Sequence, residues 1–188
     1  MGEKEEIEFV YDFRYGNKPK INPNEVREAL GKLLKEFLEG DSSLEIYSKW
    51  EGYFTDGLHE KWDVGTTEIS TSKTKVVIKR IGHPDEGSEE EELLEKVFDA
   101  VDDLDYEAHD SAFDKAVKLI SKKLGVPEEE VENEIYFDDE GSTVYFDKDG
   151  KTYFVVFAEY NGFKACGISL SHVKYFALNS LEVGEMKQ

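Results

Sequence analysis

The sequence predicts an α+β fold of antiparallel sheets and several amphipathic helices, and three observations predict it. Three stretches repeat apolar residues at helical spacing. Several others alternate apolar with polar residues, the period of a half-buried strand. Hairpin chemistry separates the alternating stretches, at Asp56-Gly57, Asp139-Glu140-Gly141, Lys148-Asp149-Gly150 and Asn161-Gly162. The polar connector Asp85–Ser88, after His83-Pro84, marks a boundary. It divides the chain into an N-terminal α+β lobe (1–84) and a C-terminal helical plus β-meander lobe (85–188), unless the two run together as one domain.

Ile7, Phe9, Tyr11, Phe13 and Tyr15 alternate with polar residues and read as a strand closed by Gly16-Asn17. Asn22-Pro23-Asn24-Glu25 is a helix start: Asn22 caps, Pro23 suits the first position and Glu25 completes a capping box. Val26, Ala29, Leu30, Leu33, Leu34 and Phe37 form the apolar face of that helix, and Gly40 is its stop. Three strands follow, at Leu44–Phe54, Lys61–Ser70 and Lys73–Ile81. A helix rich in acid comes next, with Leu93, Leu94, Val97, Phe98, Val101 and Leu104 as its apolar stripe. Asp110 or Ser111 caps a separate helix ending at Leu124-Gly125. A meander then runs from Glu134 to Leu170, and Val173–Leu181 reads as a short closing helix.

Of the 188 residues, 39% are hydrophobic and 13% aromatic, too rich for disorder despite a net charge of −20. That charge repels phosphate backbones and anionic lipid, so direct nucleic-acid or membrane-surface binding is excluded and basic partners are favoured. The polar start Met-Gly-Glu-Lys-Glu-Glu has no signal-peptide core, and no apolar run approaches the roughly 20 residues that span a bilayer. One cysteine, Cys166, permits neither an internal disulfide nor a thiolate zinc cage. The expectation is a cytoplasmic protein without cofactor or metal.

The motifs of catalysis are weak. Asp147-Lys148-Asp149-Gly150 lacks the rest of an EF-hand and reads as a hairpin turn. Gly65-Thr66-Thr67 through Lys73-Thr74 lacks the second glycine of a phosphate-binding loop. His109-Asp110-Ser111 spells triad letters in sequence, whereas triads assemble in space. His59 and Asp63 fall on one face of a hairpin strand. The enzyme alternative is a small hydrolase or transferase using Glu159, Cys166 and His172.

The acidic helix carries the main functional signal. Asp85–Asp110 holds thirteen acids against one base, Lys96, and so most of the chain's net charge. Glu91, Glu95, Asp99 and Asp103 rise in one i, i+4 row, with Glu92 and Asp102 beside it. Each like-charge pair at that spacing costs a helix about 0.2–0.5 kcal/mol. Two things can compensate, a partner that uses the row or the lysines Lys115, Lys118, Lys122 and Lys123 lying alongside on the next helix; the plain alternative is that the row is a solvated face. Ten acids between Glu89 and Glu107 give about one charge per 2.8 Å of helix. That lies between single-stranded nucleic acid, roughly one per 3.4 Å, and duplex DNA, roughly one per 1.7 Å. In composition the stretch resembles phosphate-mimicking inhibitors such as phage anti-defence proteins; the resemblance implies a protein that occupies the nucleic-acid-binding surface of an enzyme. An immunity protein against a basic nuclease has the same physics. Trp50, Tyr53 and Trp62 are the candidate aromatic anchors beside the acids. A third alternative is self-assembly through edge strands; the sequence fixes no oligomeric state.

Overall fold

The computed structural model describes residues 3–55 and 61–186, with backbone alone at 53–55 and 61. It is an α+β structure. Strand β1 (Glu5–Asp12) leads through a 3-10 turn into α1 (Pro23–Leu38). Asn22 caps α1 by accepting the Asn24 N–H at 3.1 Å. Val26, Ala29, Leu30, Leu33 and Phe37 are its buried face. Gly40 ends it at φ +96, and a Cβ there would meet Asn179 Nδ2 at 2.6 Å, so both conformation and space require glycine.

β2 (Leu44–Thr55), β3 (Lys61–Ser70) and β4 (Thr74–Ile81) form the meander that the alternation predicts. The expected Asp56-Gly57 turn lies outside the described residues, as do His59 and Glu60. β8 (Ala158–Ala165) and β9 (Ile168–Tyr175) extend this meander into a six-stranded sheet of order β1-β4-β3-β2-β9-β8. β1 pairs parallel with β4 and the other neighbours are antiparallel. Strands from both sides of residue 84 therefore share one sheet.

The register sets Val76, Ile69, Ile46 and Val173 side by side in one row, with Phe9, Ile78, Leu44 and Tyr175 on the same face. These side chains belong to the core that α1 and the long second helix complete. Glu36 of α1 ties helix to sheet, accepting from Thr71 at 2.5 Å and Thr74 at 2.7 Å. The opposite face carries charge, including the pairs Lys49–Glu51 at 2.6 Å and Lys75–Glu68 at 3.5 Å.

Helix α2 (Glu89–Leu124) corrects the sequence reading. No break occurs at Asp110 or Ser111; the segment is one 36-residue helix, about 54 Å long at 1.5 Å per residue. Ala108, Ala112 and Ala116, all buried, carry the packed face through the expected cap. Ser88 supplies the true cap, its Oγ accepting the Glu91 N–H at 3.2 Å. Gly125, at φ +65, closes the helix in the left-handed region.

α3 (Glu128–Glu134), β5 (Tyr136–Phe137), β6 (Thr143–Lys148) and β7 (Lys151–Val156) follow. With β10 (Gly184–Met186) these strands make a second sheet, β10-β7-β6-β5. The later half of α2 reaches this part of the chain: Phe113 stacks on Phe137 at 5.7 Å and His109 meets Phe157 edge-on at 5.1 Å. Two further expectations fail. Val173–Leu181 is not a helix, because Val173 and Tyr175 pair with Ile46 and Leu44 in β9; a 3-10 turn spans just Leu178–Ser180. Asn161-Gly162 lies inside β8, and the β8–β9 turn falls at Cys166-Gly167, with φ of 53 and 78. No helix among the described residues is long and apolar enough to cross a membrane.

Candidate functional site

The first half of α2 holds its acids away from the core. Leu94, Val97, Ala100, Val101 and Leu104 are buried, which turns Glu92, Glu95, Asp99, Asp102 and Asp103 out to solvent. Glu91 is half-buried and has a local role: its Oε1 accepts the Gly87 N–H at 3.2 Å, the return bond of a capping arrangement. Among the described residues this half makes one ion pair, Arg27 Nη1 to Asp103 Oδ2 at 3.3 Å. Both partners are exposed, so the pair contributes about 0–1 kcal/mol. Lys115, Lys118, Lys122 and Lys123 do not lie alongside the acids. They continue the same helix, with about 18 Å between Asp103 and Lys115 at 1.5 Å per residue.

Tyr106 was missed by the sequence reading. It stands 74% exposed among the acids, one turn beyond Asp102 and Asp103 and one turn before Asp110. The available signal was its position off the apolar stripe, an aromatic where the pattern calls for a polar residue.

The tryptophans separate. Trp50 lies on the α2-facing side of the sheet, opposite Gly65, and is 42% exposed. Its Nε1 donates to Asp63 Oδ2 at 3.2 Å. Asp63 also accepts from Arg80 Nη1 at 3.3 Å and is bonded to His83 Nε2. Burial alone would raise the Asp63 carboxyl; hydrogen bonds from Arg80 and Trp50, with the charges of Arg80 and His83, hold it below the usual carboxylate range. Arg80 lies across Gly65, where a Cβ would come within 3.2 Å of Nη2. Trp62 takes the opposite face of β3. It is half-buried, edge-on to Tyr15 at 5.6 Å, and its Nε1 is buried with no acceptor among the described residues. The Tyr53 side chain lies outside the described residues.

Between α2 and the sheet run two clefts. One, of about 390 Å³, sets Glu91, Glu95 and Asp99 across from Arg80 and His83. The other, of about 310 Å³, lies farther along α2, under Asp102 and Asp105. The register explains the second opening. The row Val76-Ile69-Ile46-Val173 fills the space below the helix, whereas the neighbouring row shrinks to Thr67-Ser48-Ser171-Gly162.

Glu159, Cys166 and His172 do not share one pocket: Glu159 and His172 are diagonal neighbours on the charged face of the sheet, and Cys166 is remote from both. Glu159 is exposed on β8, about 20 Å from the turn at about 3.3 Å per residue, and Cys166 is exposed in that turn. His172 meets Glu45 Oε1 at 3.3 Å on the charged face of the sheet. His109-Asp110-Ser111 is mid-helix, with His109 Nε2 3.4 Å from the Gly141 carbonyl oxygen. Asp147–Gly150 is the β6–β7 hairpin turn. Among the described residues no three His, Cys, Asp or Glu side chains are grouped as metal ligands. No family model, curated protein or solved structure matches the chain.

Proposed function

We propose that this protein acts by stoichiometric binding, laying the acidic first half of α2 against a basic surface of another protein. One observation carries the reading: five exposed carboxylates, Glu92, Glu95, Asp99, Asp102 and Asp103, make a single ion pair, Arg27–Asp103, among the described residues. A helix that keeps i, i+4 acids unpaired loses stability in isolation. A lysine- and arginine-lined groove restores that loss on contact. Tyr106 adds a rigid aromatic anchor at the end of the patch, of the kind that dominates interface energies and stacks on arginine. A groove that normally holds nucleic acid fits best, because the row repeats about every 6 Å of helix and mimics successive phosphates.

The test is affinity capture with the wild-type protein and with a Glu95→Gln/Asp99→Asn/Asp103→Asn variant, at roughly 0.1 M and 1 M salt. Basic nucleic-acid-binding proteins should be held by the wild type at low salt, released at high salt and missed by the variant. The same catch with both proteins would overturn the reading. Self-association through β8 is a second reading, since β8 ends the sheet and bears Phe163 at 59% exposure. Concentration-independent monomer mass in light scattering would remove it.

A further inference from the structure

We infer that the cleft beneath Asp102 and Asp105 is a side-chain pocket that takes one lysine or arginine of the basic partner. This rests on the binding function proposed above and gives the partner a definite point of insertion. The cleft, at about 310 Å³, is at the lower end of ligand-pocket sizes, roughly 300–1,000 Å³. Its walls are sorted by chemistry. Ile46, Val101 and Val173 offer apolar surface for a methylene stem.

Two carboxylates, Asp102 and Asp105, and two hydroxyls, Ser48 and Ser171, offer acceptors for the cationic head. Among the described residues no lysine or arginine lines the cleft, in contrast to its neighbour, where Arg80 stands opposite the acids. Asp105 is held in place from behind, its Oδ1 accepting the buried Tyr175 hydroxyl at 2.5 Å. Its Oδ2 has no donor among the described residues, and neither does the Asp102 carboxylate. The cleft is therefore a preorganised set of acceptors on an α-helix and two strands, supported on the core side and complementary to an alkyl cation.

The probe is N-acetyl-argininamide, with N-acetyl-citrullinamide as its uncharged isostere. Amide resonances of the uniformly ¹⁵N-labelled protein are followed during titration. The arginine probe should give saturable shifts at Ser48, Val101, Asp105 and Ser171, and citrulline none. Asp102→Asn should weaken binding about tenfold, the loss of one charge-assisted contact. Ser171→Leu, which fills the cleft from the sheet, should abolish it; if that variant does not fold, Ser48→Leu supplies the block. Equal response to citrulline, or no saturable shift, overturns the pocket. So do shifts spread over Glu92–Asp110 that salt removes and Ser171→Leu does not. That last pattern leaves the acidic-surface reading standing. Conversely, saturable probe binding beside unchanged capture by the Glu95/Asp99/Asp103 variant would retain the pocket and sink the surface.

Discussion

The two halves of α2 share one backbone and answer to different demands. The second half is packed: Ala112, Ala116, Val117 and Ile120 are at most 1% exposed. Two of its cations, Lys122 and Lys123, sit in the last turn, where the helix dipole favours them. The first half is packed on one side alone. Its opening acids, Glu89–Glu92, gain from the N-terminal dipole, but that benefit fades within about one turn. Asp99, Asp102 and Asp103 lie beyond it. The first turn and the last thus obey helix physics, and the acids from Asp99 to Asp103 do not. Charge placed where the fold gains nothing from it is the best single pointer to a use outside the fold.

Substitutions can break or sharpen this contrast. The largest effect belongs to the packed half: Ile120→Ala should cost about 3 kcal/mol in denaturant unfolding, as a fully buried side chain leaves a cavity. Next comes Asp63→Asn, which loses charge-assisted bonds at a carboxylate just 12% exposed and should cost about 2 kcal/mol near neutral pH. Because the folded carboxyl is held below its ordinary value, near 3.9, Asp63 contributes fully above that pH and the contribution is lost as pH falls through the lower folded value. The wild-type advantage over Asp63→Asn should therefore close as pH falls below about 4.

In the acidic half the sign reverses. Glu95→Gln with Asp99→Asn removes the like-charge pairs of the Glu91–Asp103 row and should raise stability by about 1 kcal/mol in thermal unfolding. A loss of stability would show that these carboxylates serve the fold after all. The smallest effect is Tyr106→Ala, which should change stability by less than about 0.5 kcal/mol. Partner affinity, by contrast, should fall by at least about thirtyfold if the ring is an interface anchor.

Much of this architecture was legible in the residues. Asn22-Pro23 and Gly40 bracket α1 as their chemistry requires, and β2–β4 fall where the alternation places them. The failures share a physical cause. Asp110 and Ser111 are good caps locally, yet buried alanines at 108, 112 and 116 keep the helix running; a small side chain gives a weak periodic signal while packing well. Asn161-Gly162 has the better turn chemistry, but the Leu44–Tyr175 and Ile46–Val173 pairs fix β9, and the pairing of β8 with β9 moves the turn to Cys166-Gly167. In both cases tertiary contacts overrode a local preference. The acidic row was plain in the sequence. The clefts and the Trp50–Asp63–Arg80–His83 cluster were not, because they depend on register between strands far apart in the chain.

The uninterrupted α2 has a consequence for encounter. The side chains of this rod, about 54 Å long, are strongly negative over its first half and nearly neutral over its second, so its charge is lopsided along the axis. Any positive field exerts a torque on it. Approaching a cationic target, the molecule turns its negative end forward before the surfaces touch, so fewer collisions are wasted on wrong orientations. Added electrolyte weakens that torque first, and arrival should slow before the assembled complex loosens.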